Sequence, residues 1–185
     1  MSGALTGIRV LDLSTPLAEA TGRVLVDLGA EVIKIEAPVG CEARRTAPFK
    51  DGAENDIEGS LFWRMWGRGK KSVVLDVDSP DDLAQLLDLV RGADIFIESS
   101  TPGELVGKGL GYDALAAINP ALLYLSVTPF GQSGRYATHP ATDLTLAAAG
   151  GLLNMQGDGN HPPIPVGPPE TSHLGACQAA ADVIN

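Results

Sequence analysis

The chain has 185 residues, 44% hydrophobic and 19% charged, enough apolar material for one core and too much for a disordered polymer. Thirteen Lys and Arg against 23 Asp and Glu leave a formal charge of −10, which excludes general nucleic-acid binding and obliges an anionic ligand to find a local cationic patch. No apolar run approaches the ~20 residues of a membrane span, and Met1 to Gly7 lacks the charged-then-apolar order of a secretion signal, so a cytoplasmic protein is expected.

Ile8 to Leu13 (IRVLDL) and Glu31 to Ile35 (EVIKI) suit buried strands, and Ala18 to Leu28 between them spaces its apolar residues as a helix that Gly29 stops. Residues 37 to 60, with three Gly and two Pro among mixed charges, read as a long excursion, either a mobile loop or a lid. Ser72 to Val77 (SVVLDV) is the third strand. Ser79-Pro80 then opens a helix through Leu83 to Val90, and Ile95 to Glu98 (IFIE) is the fourth strand. Tyr112 to Ile118 is helical up to Asn119-Pro120, and Leu122 to Val127 (LLYLSV) is the fifth strand. Strands alternating with helices imply an α/β fold, a Rossmann-like parallel sheet flanked by helices. The expected organisation is a Rossmann-like region over 1–156 and a Pro/Gly-rich linker over 157–170. The start of a helix follows over 171–185, in a chain that stops inside it.

The densest positive run is Arg64, Arg68, Lys70 and Lys71 in RMWGRGKK, just before the third strand. Gly67 and Gly69 permit close backbone approach to a ligand, Arg offers a fork to phosphate oxygens and Lys a point charge; a solvated basic turn is the alternative. No Gly-x-Gly-x-x-Gly follows the first strand, where Ser14-Thr15-Pro16-Leu17-Ala18-Glu19 stands, so a dinucleotide seated there is unsupported. Neither a Walker A run nor Gly-x-Ser-x-Gly occurs. His139, His161 and His173 lie 22 and 12 residues apart, which is not metal-ligand spacing, and no metal is expected. Cys41 and Cys177 read as two reduced, unpaired thiols. Asp143, opening DLTLAAAGGLL, is read as a carboxylate on a helix dipole, with a catalytic Asp as the alternative. Glu170, after Gly167-Pro168-Pro169, is a capping-region residue or a carboxylate nucleophile.

Six blocks in order carry a resemblance: LTGIRVLDLS at 5–14, DLGAEVIKIEAP at 27–38, GRGKKSVVLDV at 67–77, ADIFIESSTPG at 93–103, LGYDALAAINPALLYLSVTPFGQSG at 110–134 and DLTLAAAGGLL from 143. Together they resemble the class III CoA-transferase family, which includes formyl-CoA and carnitine-type CoA-transferases and α-methylacyl-CoA racemases. The resemblance implies the N-terminal half of a protein about twice as long, working as a ring-like homodimer or joined to a second copy in a tandem chain. Its substrate would be coenzyme A or acyl-CoA, with no permanently bound cofactor, no nucleic acid and no membrane. It implies that Arg68, Lys70 and Lys71 contact the CoA phosphates and that Leu17 and Ala18 lie along its pantetheine or adenine. Arg44 and Arg45 are further phosphate candidates.

The family nucleophile is an Asp four residues before a Gly in the first helix after the linker. Counting back from Gly175 gives Thr171, and Glu170, one position earlier, is turned by about 100° on a helix. A hydroxyl forms no carboxylic anhydride, so Glu170 is the catalytic candidate. The racemase acid/base positions carry Thr142 and Thr171, which argues against racemisation. Two other family signatures differ: Glu19-Ala20 stands for Gly-Pro, and Ser99-Ser100-Thr101 for Asn-Phe-Arg. The implied function is binding of acyl-CoA and participation in CoA transfer between carboxylic acids within the full-length assembly. The alternative is a noncatalytic scaffold half of a tandem CoA-transferase-like protein.

Overall fold

The computed structural model describes residues 3–165 and 167–185. Five strands, β1 (Arg9–Leu13), β2 (Glu31–Glu36), β3 (Lys71–Val74), β4 (Ile95–Glu98) and β5 (Leu123–Ser126), form one parallel sheet in the order β3-β2-β1-β4-β5. Leu11 sits level with Ile33 on one side and Phe96 on the other. The helices are α1 (Glu19–Asp27), α2 (Leu61–Trp66), α3 (Pro80–Val90), α4 (Glu104–Gly107), α5 (Tyr112–Ile118), α6 (Asp143–Ala149) and α7 (Glu170–Val183).

Alternation along the strands divides the core into two layers. Leu11 and Phe96 face Leu86 and Val90 of α3 and Leu115 of α5. Val10, Val32, Ile95 and Ile97 face the other way, onto Leu25 of α1 and Ala180 of α7. With both sheet faces covered, the strands read as near-continuous apolar runs, which is why they were legible in the sequence. Pro80 occupies the first turn of α3 as expected, whereas Ser79 makes no side-chain cap bond. The Rossmann-like expectation holds, and helix α7 begins at Glu170, inside the span expected to be linker.

The excursion over 37–60 is folded onto the sheet, anchored through one carboxylate. Glu36, at the end of β2, accepts from Arg44 Nε (2.6 Å) and Nη2 (2.8 Å), from Ser72 Oγ (2.5 Å) and from the backbone N–H of Cys41 (3.0 Å). Arg44 lies in a short 3-10 turn, Glu42–Arg45, stacked 4.2 Å over the Trp63 ring and paired also with Glu58. Phe49 and Ser60 form an antiparallel bridge, and Ser60 caps α2 by accepting from Trp63 N–H. That helix is absent from the sequence reading, which took Arg64 as part of a basic turn; LFWRMW is short and carries no polar stripe to set a period.

Burial works to raise the Glu36 pKa, but the bonds from Arg44, Ser72 and Cys41 outweigh it and bring the group from 4.5 down to about 2. A depressed carboxylate contributes stability that is complete above pH 4.5 and is lost as pH falls through 2. Urea midpoints measured over that interval are expected to fall with acid, and the slope should shrink in Glu36→Gln. An unchanged slope would show that this clamp does not couple folding to protons.

Candidate functional site

In an open parallel sheet, ligands sit at the carboxyl ends of the strands where the order reverses. Here that switch point lies between β1 and β4. The loops leaving the two strands are tied together there: Ser99 Oγ accepts from the backbone N–H of Thr15 at 2.7 Å, and the Thr15 and Ser99 hydroxyls are 2.8 Å apart. Around this tie are three adjoining cavities of about 380, 280 and 370 Å³, and Leu17 and Pro129 line all three. The second is walled by Ser99, Ser100, Thr101 and the segment Ala137–Ala141; the first and third run on to α6 and the start of α7. Among the described residues no Lys or Arg lines any of them, and His139 and Asp143 are the titratable side chains that do.

Leu17 is thus at the centre of the cleft, whereas Ala18 is fully buried beneath it. Sequence reasoning did not find Pro129, His139 or Ser172; the available signal was that each follows the carboxyl end of a strand or opens a helix beside one.

The inner end of the cleft is the first turn of α7. Asp143, the first residue of α6, directs its carboxylate at that neighbouring helix. Oδ1 accepts from the Ser172 backbone N–H (2.7 Å) and hydroxyl (2.8 Å), while Oδ2 lies 3.4 Å from the Thr171 N–H. Thr142 caps α6 through a reciprocal bond pair with Thr145, so Asp143 is not needed as a cap for its own helix. Thr171 faces the cleft, and its Oγ1 is buried with no partner among the described residues. Glu170 opens elsewhere, onto a surface hollow with Gly167, Pro168, His173, Leu174 and Cys177. His173 packs against Trp66 (4.7 Å between ring centres) and Phe62, and its burial lowers its pKa.

The basic turn divides by depth. Lys70 does not face solvent: its side chain is fully buried, and Nζ donates to Glu19 Oε1 (2.5 Å), Asp12 Oδ2 (2.7 Å) and the Glu19 carbonyl (2.9 Å), using every proton it has. Lys34, equally buried, donates to Glu19 Oε2 (2.6 Å), the Ser14 carbonyl (2.6 Å) and hydroxyl (3.1 Å), and Asp12 Oδ1 (3.3 Å). Burial alone would raise the Asp12 pKa and lower that of Lys34. The opposite charges win in both cases, so both stay ionised.

Gly22 makes the arrangement possible, since a Cβ there would collide with the Asp12 carboxylate and the Lys70 stem. Lys71 is 68% exposed and turned toward Glu31 at the other end of the sheet. Arg68 is exposed; its carbonyl accepts from Arg23 (2.7 Å) and its guanidinium has no partner among the described residues. Gly69 holds the turn at φ +83°, in the left-handed region. Arg44 is clamped as described, and Arg45 donates through one nitrogen to the Val39 (2.8 Å) and Gly40 (3.2 Å) carbonyls. No cluster of His, Cys, Asp and Glu with metal-site geometry occurs among the described residues, and no helix is long and apolar enough to cross a membrane. Cys41 is buried, Cys177 exposed, and both are free.

Residues 5–184 match the family described as CoA-transferase family III. Succinate–glutarate CoA-transferase of Agrobacterium fabrum is 36% identical over 166 residues, 88% of this chain and 42% of that protein. Acetyl-CoA:oxalate CoA-transferase of Acetobacter aceti is 37% identical over 174 residues, 93% of this chain and 43% of that one. A solved CAIB/BAIF family protein from Brucella suis has a TM-score of 0.89 at 32% identity, covering 100% of this chain and 50% of its own. The chain therefore spans about half the length of the relatives it matches.

Removing one cation from a buried cluster leaves its partners uncompensated, so Lys70→Met is expected to lower unfolding free energy by about 3–5 kcal/mol. Lys71→Ala, at an exposed pair, should leave the urea midpoint nearly unchanged. Equal effects at the two positions would refute the division by depth.

Proposed function

This chain belongs to CoA-transferase family III, and from that premise we propose that it binds acyl-CoA in the Leu17–Pro129 cleft and takes part in moving CoA between carboxylic acids within an assembly longer than itself. The observation that carries the reading is an otherwise uncharged cleft at the sheet's switch point with a single carboxylate at its inner end. Pantetheine is a neutral, amide-bearing arm, and a wall of Leu17, Pro129, Ser99, Ser100 and Thr101 offers it apolar contact and hydroxyl partners. The phosphates must then lie outside the cleft. Arg68 has a free guanidinium for them and Arg45 keeps unbonded donors, whereas Lys71, paired with Glu31 at the other end of the sheet, is turned away. Lys70 serves from within by fixing the turn that presents Arg68, and Arg44 by holding the excursion.

The edge strands β3 and β5 expose Val74 (58%) and Leu123 (52%), which suits cover by a second copy or a tandem half. Two unpaired thiols suit a reducing cytoplasm. One observation favours a second reading, a scaffold half that does no chemistry: a hydroxyl, Thr171, stands where the family resemblance expects the nucleophilic acid.

Succinyl-CoA and CoA are the ligands to titrate, since relatives are named for succinyl and acetyl donors. Calorimetry is expected to show saturable binding, with Arg68→Ala weakening it about tenfold, the loss of one charge-assisted phosphate contact. No binding heat for either ligand would refute acyl-CoA recognition by this chain.

A further inference from the structure

We propose that the acyl group this cleft accepts is an apolar one without a second charge, a straight-chain monoacid in preference to a dicarboxylic acid; the inference rests on the acyl-CoA reading above. The three cavities differ in what walls them. The one beside Ser99, Ser100 and Thr101 is rich in hydroxyls. The other two carry Val127, Phe130 and Leu146, and the larger apolar residue Phe62 closes one of them. Leu17 and Pro129 line all three, so an arm that follows the hydroxyl-lined cavity inward passes between them and delivers its thioester end to the apolar pair. The acyl group then lies against Leu146 and Phe62.

Charge decides which acyl tail can follow. Among the described residues no Lys or Arg lines the apolar pair, and the one ionisable side chain there is Asp143. Its hydrogen bonds come from the Ser172 N–H and hydroxyl at 2.7 and 2.8 Å and from the Thr171 N–H at 3.4 Å, so no cation neutralises it. A terminal carboxylate entering this space gives up its water without gaining a countercharge. It also faces Asp143 across a cavity of about 370 Å³, where like charges are poorly screened. A methyl group in the same place meets neither cost, and each methylene buried against Leu146 and Phe62 adds about fourfold in affinity.

His139, the other ionisable side chain of the cleft, is exposed and lies on the hydroxyl-lined side, away from the acyl end, so it offers a second carboxylate no rescue. The preference departs from the dicarboxylic acids for which two of the relatives above are named.

Butyryl-CoA and succinyl-CoA share a four-carbon acyl chain and differ only at its end, a methyl group against a carboxylate. Calorimetric titration of the chain is expected to rank butyryl-CoA about tenfold or more above succinyl-CoA, with hexanoyl-CoA tighter still and succinyl-CoA no tighter than CoA itself. Asp143→Asn, which keeps an acceptor oxygen for Ser172, should narrow the gap between the two four-carbon thioesters. Leu146→Lys, which sets a cation in the apolar pair, should reverse their order. Thermal melting checks that the variants fold; if neither does, the ranking in the unaltered chain decides alone. Equal affinities, tighter binding of succinyl-CoA, or a gap that folded Asp143→Asn leaves unchanged overturns the assignment while the acyl-CoA reading stands. Absence of binding by CoA and by every thioester overturns both.

Discussion

Four side chains with no solvent exposure, Asp12, Glu19, Lys34 and Lys70, hold together the end of the sheet that carries the candidate cleft. Taking one such ion out of water without a partner costs several kcal/mol, so burial is tolerable only when charge and hydrogen bonds balance together. Here two acids meet two ammonium groups, and each ammonium finds enough acceptors for its protons. The four come from β1, α1, β2 and the turn before β3, so satisfying them fixes where four separate stretches of chain can lie. Lys34 also grips the Ser14 carbonyl, which sets the direction in which the chain leaves β1. From there Thr15 reaches Ser99 and Leu17 enters the cleft. The shape of an uncharged cleft thus follows from a charged cluster below it.

The same bookkeeping bears on the anionic ligand proposed for a chain with a formal charge of −10. Of its thirteen Lys and Arg, eight pair with carboxylates among the described residues. Arg45, Lys50, Arg64, Arg68 and Arg135 remain. Arg64 donates to the Glu58 carbonyl, and Arg135 stacks 4.9 Å from the Tyr136 ring centre on the segment that leads into the cleft wall. Available positive charge is therefore outside the cleft, and the neutral lining does not compete with it for phosphate. Division of a long ligand into a buried neutral arm and an exposed charged end matches that distribution.

The architecture was legible because burial of both sheet faces writes itself into short runs such as IRVLDL and IFIE, and because Gly29, Pro80 and Asn119 punctuate them locally. What escaped depends on contacts across long sequence separations. RMWGRGKK shows four cations, two Arg and two Lys, and nothing local distinguishes Lys70 from Lys71; its depth is decided by Asp12 and Glu19, 58 and 51 residues away. Asp143 was read against its own helix, as its position at the start of α6 invites, yet its hydrogen bonds go to α7. Glu170 and Thr171 are neighbours in sequence that open onto different cavities, a separation that a helical step produces and a linear motif conceals.

Placing Asp143 at the start of a second helix has an energetic consequence of its own. Pro169, at the N-cap of α7, offers no side-chain acceptor, so the Asp143 carboxylate joins Glu170, in that helix's own first turn, as an anion at its positive end. An anion in such a place is favoured by about 0.3–1 kcal/mol over a neutral group. The bonds from the Ser172 N–H and hydroxyl therefore tie α6 to α7 through charge as well as packing, and they fix the inner end of the cleft where Thr171 faces it.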